Sequence, residues 1–348
     1  MLMDLDDDDE SSVVPRPRLS VRERTSPLFK YSNAELYERF RFDREGLESI
    51  TRLVTSHLER ATRRNLALEP ELQVCLALRF FATGAFQNII GDDFQVSKDS
   101  VRRSIFGVAD ALLCHADHFI KFPTPEAMDE ERTRFFRMGR FPGVWGCIDG
   151  THIPIQAPSE DEENYVNRKG WHSINVQAIC DSEGKFYDVV VKWPGATHDA
   201  RILRSSAVFR KFEDGELTGV ILGDSGYPNR PWLLTPFASP TTPPEHRYNK
   251  ALCKTRWIIE QTFGRWKRRF FCLRSCLRYS PRKCCKIIAA SAILHNIALS
   301  QRLPHVTESD NPTPPFDDLD SEIPLPLAEG DRIEGAAFRQ HVVSACFT

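Results

Sequence analysis

Residues 144–155 read VWGCIDGTHIPI, an apolar run that reaches Asp149 and continues into a Gly-Thr-His segment. The β-branched and aromatic residues in front of Asp149 predict a buried strand over 144–149 that ends on this carboxylate. Functional side chains of α/β proteins commonly follow the ends of buried strands. We therefore expect the rest of the chain to supply further carboxylates near Asp149 and a surface that binds an anionic substrate.

The segments after Asp149 predict a mixed α/β domain. Residues 173–180 alternate between apolar and polar, and residues 185–193 read KFYDVVVKW after a turn, so the two segments predict a hairpin. The remaining predicted elements are a short helix over 199–206, a buried strand over 220–223, a long helix over 249–271 and an apolar helix over 283–299. This order of strands followed by helices is typical of the α/β class.

The region before residue 118 has helical periodicity throughout. Its last two segments, 86–94 and 98–113, are joined by a short turn in which Ser97 is a good N-cap. This is the layout of a helix-turn-helix, and the candidate DNA contacts near the start of its second helix are Lys98, Arg102 and Arg103. The alternative is a helical bundle with a solvated charged face.

Composition divides the chain into four predicted regions. Residues 1–33 are acidic and then rich in proline and arginine, which predicts a disordered arm. Residues 34–125 form the helical, helix-turn-helix-like region and residues 126–300 form the α/β domain. Residues 301–348 are rich in proline and acidic residues and predict a tail.

The bulk properties exclude several classes of protein. The chain has 348 residues and a formal net charge of −2, so any affinity for nucleic acid must come from a local surface. Its first residues do not resemble a secretory signal, and we expect no membrane-spanning segment. No pair among the ten cysteines has the C-x2-C spacing of a zinc site, so we expect reduced thiols in an intracellular protein.

Four acidic residues are predicted to converge on one point. Asp149 and Asp224 each follow a predicted strand, Asp199 begins the helix after the hairpin, and Glu260 lies inside the long helix. Clustered carboxylates repel one another unless a cation neutralises them, and their hard oxygens suit Mg²⁺ or Mn²⁺. Two such ions roughly 3.5–4 Å apart can activate the attacking oxygen and stabilise the leaving oxygen of a phosphodiester.

Each acid also has a purely structural interpretation. Asp149 and Asp224 are residues that turns commonly contain, and Asp199 is a residue that can cap a helix. Glu260 can form an ion pair with Arg256, one helical turn earlier.

Basic residues concentrate around Glu260. Between residues 250 and 286 there are twelve lysines and arginines and one acid. The candidate DNA contacts in this segment are Arg265, Lys267, Arg268 and Arg269, and a second candidate loop contains Arg168 and Lys169. A local positive charge of this size favours phosphate binding, whereas the interleaved aromatic residues, Trp257 among them, are expected in the core.

Six motifs in this order resemble the PIF/Harbinger transposases, which belong to the DDE superfamily. The motifs are IDGTHI (148–153), YVNRKGWHSINVQ (165–177), WPGATHDAR (193–201), LGDSGYP (222–228), IEQTFGRWKRRF (259–270) and LHNI (294–297). The resemblance implies an RNase H-like catalytic core with a DDE triad of Asp149, Asp224 and Glu260. In this fold a further acid often lies on the helix after the hairpin, where Asp199 stands.

The resemblance also implies an activity and partners. It implies a nuclease that cuts DNA with Mg²⁺ or Mn²⁺ as cofactor, located in the nucleus and also in the cytoplasm. A separate Myb/SANT-like protein is implied as a partner in DNA recognition and nuclear import, and a homo-oligomer is left open. The rival hypothesis is a domesticated DNA-binding or scaffold protein that keeps the fold without catalysis, and RNA is not excluded as the substrate.

Overall fold

The computed structural model describes residues 26–59, 67–306 and 333–348. Residues 1–25 of the predicted arm (1–33) and residues 307–332 of the predicted tail (301–348) lie outside the described residues. The helices of the N-terminal half are α1 (Pro27–Lys30), α2 (Asn33–Phe40), α3 (Arg44–Leu58), α4 (Pro70–Thr83), α5 (Gln87–Phe94), α6 (Lys98–Leu113), α7 (Ala116–Phe119) and α8 (Pro125–Gly139). The later helices are α9 (Glu162–Tyr165), α10 (Asp199–Arg204), α11 (Ala207–Glu213), α12 (Pro243–Arg269), α13 (Pro281–Ser300) and α14 (Ile333–Cys346).

One five-stranded mixed sheet confirms the predicted α/β class. Its strands are β1 (Val144–Pro154), β2 (Ser173–Cys180), β3 (Phe186–Pro194), β4 (Val220–Leu222) and β5 (Leu233–Leu234). The spatial order is β3-β2-β1-β4-β5, in which β1, β2 and β3 pair antiparallel while β1–β4 and β4–β5 pair parallel.

Strand β1 does not end at Asp149, and that prediction was wrong. The antiparallel pairing with β2 continues through Asp149–Ala178 as far as Pro154–Ser173. The parallel pairing with β4 stops earlier, at Cys147–Leu222. Because a long hairpin partner extends β1 past the short β4, Asp149 lies inside the strand but beyond the point where its other neighbour ends.

The N-terminal helices and the α/β domain share one hydrophobic core. Val74 of α4 and Ile105 of α6 belong to the same buried cluster as Ile287 of α13. The predicted division at residue 125 therefore does not separate two cores. Helix α6 begins after Ser97, whose hydroxyl accepts the Ser100 N–H, and α5 ends at Gln95 in a left-handed conformation. The two predicted helices and the short turn between them are confirmed, whereas their use as a DNA-binding helix-turn-helix stays a prediction.

The predicted boundaries of the arm and the tail need correction. Leu28 in α1 is buried, so the last residues of the predicted arm belong to the folded helical region. Helix α14 was not predicted, yet Val343 and Phe347 at its end are buried, and the Phe347 ring lies 5.1 Å from that of Phe141. A short apolar stripe at the end of an acidic segment packs against the core as a helix. The prediction missed it because the composition was averaged over the whole tail.

Helix α12 begins six residues earlier than predicted. Thr242 and Glu245 form a capping box, and prolines occupy the first two helical positions. A proline in the first turn of a helix loses no hydrogen bond, since the N–H groups there have no partner within the helix. The helix that contains Glu260 therefore starts at a pair of prolines, ahead of the apolar pattern that predicted it.

Helix α13 fixes the far edge of the sheet. Asn296 accepts the Phe186 N–H and donates to the Phe186 carbonyl, both within 2.9 Å, and His295 Nε2 lies 3.0 Å from the Gly184 carbonyl. The LHNI motif thus has a structural role at the start of β3. By length and composition α13 could span a membrane, but 67% of its most apolar window is buried within the protein, which is common for a core helix.

Candidate active site

Asp149 is a nearly buried carboxylate at the centre of the site. Its side chain is 14% exposed. Its Oδ1 accepts the Gly150 N–H at 2.8 Å, and its Oδ2 accepts a hydrogen bond from Nη1 of Arg256 at 2.8 Å. Burial raises the pKa of Asp149 well above its ordinary value, the Arg256 guanidinium opposes that rise, and the charges of Asp224 and Asp199 add to it.

Arg256 joins two of the predicted catalytic acids. Its Nη2 donates to Glu260 Oε1 at 2.6 Å, across one turn of α12, while Nη1 holds Asp149. The Arg256 side chain is 6% exposed, whereas Glu260 is 45% exposed. The predicted ion pair of Glu260 with Arg256 is therefore present, but it also ties Glu260 to Asp149.

Asp199 approaches from the other side of the sheet. Asn175 Nδ2 donates to Asp199 Oδ1 at 3.0 Å and to the Thr197 carbonyl at 2.9 Å, so β2 positions the carboxylate. A Cβ added at Gly150 would lie 2.6 Å from Asp199 Oδ1. Glycine at position 150 thus leaves the room that the Asp199 carboxylate occupies. The capping alternative is wrong, because His198 occupies the N-cap and Asp199 is the first residue of α10.

Asp224 lies in the loop directly after β4. Its Oδ1 accepts the Gly226 N–H at 3.0 Å, as in the turn that the sequence suggested, but its charge also raises the pKa of Asp149. The charges of Asp199 and Asp224 therefore both act on Asp149, and Arg256 connects Glu260 to the same residue.

Sequence reasoning missed Tyr227 in this site. Its side chain is buried, and its hydroxyl has no hydrogen-bond partner among the residues that the structure describes. Burial raises the pKa of Tyr227 well above its ordinary value, and the charges of Asp199, Asp149 and Asp224 raise it further. The available signal was the LGDSGYP motif, in which the tyrosine follows Asp224 by three positions.

The predicted DNA contacts divide into exposed and buried groups. Lys98, Arg102 and Arg103 are exposed on α6, and Arg168 and Lys169 are exposed in the loop before β2. Arg168 Nη2 lies 3.0 Å from Nδ1 of His198, next to Asp199, so this loop borders the acids. Arg265 and Arg268 are half-buried on α12.

Two of the predicted DNA contacts are wrong because their side chains are buried. Lys267 is 6% exposed and Arg269 is 2% exposed. Arg269 donates to the Arg41 carbonyl at 3.1 Å and to the Pro304 carbonyl at 2.6 Å, so it ties α12 to two distant segments. Charge along a helix does not reveal which cations point inward, and the guanidinium here satisfies backbone carbonyls.

A cleft opens beside Glu260 on the outer face of α12. Its volume is about 340 Å³, and it is lined by Cys253, Lys254, Arg256, Trp257 and Glu260. Trp266, Phe270 and Phe271 are buried, as expected for the aromatic residues of this segment, but Trp257 is 58% exposed. The expectation of a core position was therefore wrong for Trp257.

The four acids fit a divalent cation by their chemistry. Mg²⁺ and Mn²⁺ prefer carboxylate oxygens, and the mutual repulsion at Asp149 calls for a cation. Within residues 26–59, 67–306 and 333–348, however, no three His, Cys, Asp or Glu side chains are close enough together to hold one ion. The guanidinium of Arg256 lies between Asp149 and Glu260, so these two acids are joined by a cation of the chain itself.

Comparisons with known proteins agree with this geometry. Residues 148–296 match the family model described as DDE superfamily endonuclease, a range that includes all four acids and Arg256. No solved structure matches the chain.

The relatives extend the similarity to most of the chain. The chain is 38% identical to the candidate nuclease HARBI1 of Homo sapiens over 284 residues, which cover 79% of this chain and 81% of the relative. It is 36% identical to HARBI1 of Mus musculus over 91% of this chain and 94% of the relative. It is 28% identical to the protein ALP1-like of Arabidopsis thaliana over 65% of this chain and 60% of the relative. The chain therefore belongs to the Harbinger transposase-derived nuclease family of the DDE superfamily.

Proposed function

We propose that the protein is a divalent-metal-dependent DNA endonuclease with an RNase H-like core and a DDE active site. The observation that carries this proposal is the ion-pair network in which Arg256 joins Asp149 to Glu260, beside two further acids, Asp199 and Asp224, whose charges act on Asp149. A nearly buried acidic cluster is unfavourable for folding unless it has a use, and perturbed carboxylates of this kind concentrate at functional sites. Membership of the DDE endonuclease family supports the same conclusion.

The roles of the acids follow from their positions. Asp149, Asp224 and Glu260 would hold the divalent cations, and Asp149, as the central acid, would be the ligand common to both ions. Asp199, fixed by Asn175, completes the set from the opposite side of the sheet. Bound Mg²⁺ or Mn²⁺ supplies activation of the attacking oxygen and stabilisation of the leaving oxygen of a phosphodiester.

The substrate surface is built from cations around the acids. Lys254 and Trp257 line the cleft next to Glu260, and Arg168, which Lys169 follows in the exposed loop, contacts His198 beside Asp199. Lys and Arg contacts to phosphates give affinity that does not depend on sequence and that falls with salt. Recognition of the base sequence then requires another element, and our candidates are the exposed residues Lys98, Arg102 and Arg103 at the start of α6.

We also propose that the protein works in the nucleus with a separate Myb/SANT-like protein. The family resemblance supports this, because DNA is the substrate and the helix-turn-helix-like region is short. Exclusion of a fluorescent fusion of the full chain from the nucleus in the presence of a co-expressed partner would contradict it.

A second candidate is a DNA-binding protein of the same fold that does not cut. The observation that favours it is Arg256, which already neutralises Asp149 and Glu260 without a metal ion. The two candidates differ in whether a divalent cation displaces this ion pair, and the cleavage assay separates them.

Replacing Asp149 by asparagine tests the nuclease. We expect wild-type protein to cut double-stranded DNA with Mg²⁺ or Mn²⁺, and Asp149→Asn to reduce the rate by about 100-fold or more, because the amide is a poor ligand for a shared ion. The matched control is Asp188→Asn, which changes another largely buried acid on β3, away from the site. Equal rates for wild type and Asp149→Asn would contradict the assignment.

Replacing Gly150 by alanine tests the role of Asp199. The new Cβ would lie 2.6 Å from Asp199 Oδ1, so we expect the carboxylate to move away and the cleavage rate to fall by about 10-fold or more. Gly264→Ala is the control, because the Cβ one turn after Glu260 would approach only the Arg268 guanidinium, at 3.4 Å. Thermal unfolding is measured in parallel. An unchanged rate in folded Gly150→Ala would show that Asp199 does not contribute.

Replacing Trp257 by alanine tests the cleft as a DNA surface. Stacking of a base on an aromatic side chain contributes about 1–3 kcal/mol, so Trp257→Ala is expected to weaken binding of single-stranded or frayed DNA by roughly 5- to 150-fold. Fluorescence anisotropy with labelled DNA measures the change. Phe29→Ala is the control, since that ring is 85% exposed on α1. Equal losses for the two variants would show that exposure alone, and not the cleft, explains the effect.

A further inference from the structure

The guanidinium of Arg256 occupies a position between two acids that the proposed reaction needs for metal. It bonds to Asp149 Oδ2 at 2.8 Å and to Glu260 Oε1 at 2.6 Å, through two different nitrogens. Its side chain is 6% exposed, so water screens these contacts weakly. Arginine is always charged, and its planar fork can hold two carboxylates at once.

The metal-free protein depends on this cation. Asp149 is nearly buried and lies within electrostatic reach of Asp224 and Asp199, so its charge would be uncompensated if Arg256 were absent. A divalent cation shared by Asp149 and Glu260 would use the same oxygens that now accept hydrogen bonds from Arg256. The guanidinium and the metal ion repel each other, so both cannot occupy this position.

The neighbouring cleft is a second position that the Arg256 guanidinium can occupy. Arg256 itself lines this cleft of about 340 Å³ together with Lys254, Trp257 and Glu260. The arginine side chain has four rotatable bonds, so a change of rotamer moves its end group without moving α12. The remainder of the site is held independently of Arg256, by the bonds from Gly150 to Asp149 and from Asn175 to Asp199.

We propose that Arg256 is a positioning residue that substitutes for the metal: it holds Asp149 and Glu260 together until a divalent cation displaces its guanidinium toward the cleft. This inference rests on the proposed function. It requires that Arg256 stabilises the metal-free protein and at the same time weakens its affinity for metal, because the two cations compete for the same carboxylates. Replacing a residue that has only a structural role would lower the stability without raising the affinity for metal.

The test compares wild type with Arg256→Gln, which removes the charge and keeps an amide donor. Isothermal titration of the metal-free full chain with Mn²⁺ measures the Kd, and thermal unfolding in EDTA and in Mn²⁺ measures the stability. We expect the variant to bind Mn²⁺ about 10-fold more tightly, to melt at a lower temperature in EDTA, and to gain more from Mn²⁺ than wild type does. Arg256→Lys is expected to lie between them, because a single ammonium replaces the two-pronged contact.

Lys254→Gln is the matched control, since it removes a positive charge from the same cleft without touching the carboxylate pair, and we expect its Kd to change by less than about threefold. Unchanged or weaker Mn²⁺ binding by Arg256→Gln, with wild type binding normally, would overturn this inference alone. If neither protein binds Mn²⁺, the proposed function fails as well. Should Arg256→Gln not fold, Arg256→Lys decides, and a Kd equal to that of wild type would overturn the inference.

Discussion

The negative charge of Asp149, nearly enclosed at the centre of a sheet, is the constraint on which the site depends. A buried carboxylate is costly unless hydrogen bonds and a cation compensate it. The Gly150 N–H and the Arg256 guanidinium supply that compensation. Two further acids, Asp199 and Asp224, add repulsion at Asp149. The hydrogen bond and the ion pair therefore have to offset this repulsion as well as the burial of the charge.

The sheet topology explains why the acids meet despite their separation in the chain. Strand β4 is short, so the side of β1 at Asp149 is left open where Asp224 follows β4. Helix α12 brings Arg256 and Glu260 to one face of β1, and the Cys147 thiol there lies 3.8 Å from the Thr255 carbonyl. Asp199 comes from the other face, where Gly150 leaves room for its carboxylate. Each acid thus comes from a different element, and the fold rather than local sequence determines their distances.

Much of this arrangement could be predicted from residue patterns, and the failures have physical causes. Alternation and apolar runs identified β1 to β4, because the two faces of a sheet differ in burial, whereas the two-residue β5 was not predicted. The same patterns could not show that β1 continues past Asp149, since strand length is determined by pairing with β2. Nor could they separate buried from exposed cations on α12: Lys267 and Arg269 are enclosed, whereas Trp257 points outward.

Arg256 illustrates why sequence reasoning stopped short of the site itself. A glutamate and an arginine one turn apart on a helix usually form a weak surface pair, so the spacing alone indicated a structural contact. The structure adds a third partner, Asp149, and removes most of the solvent. The site without metal is therefore a state in which Arg256 balances the charges of the acids that would bind a metal.

A nuclease and a non-cutting DNA-binding protein share this metal-free state and differ only in how readily it is exchanged for another. Release of Arg256 leaves Asp149 and Glu260 with an uncompensated charge, so the exchange is favourable only when the incoming cation interacts more strongly with the four acids than the guanidinium does. A dication satisfies that condition where Asp224 and Asp199 join the coordination, because a doubly charged ion gains from each further carboxylate oxygen and relieves the repulsion that these two acids exert on Asp149. Asp199 and Asp224, which the ion pair does not require, are therefore the residues that make metal binding favourable at this site.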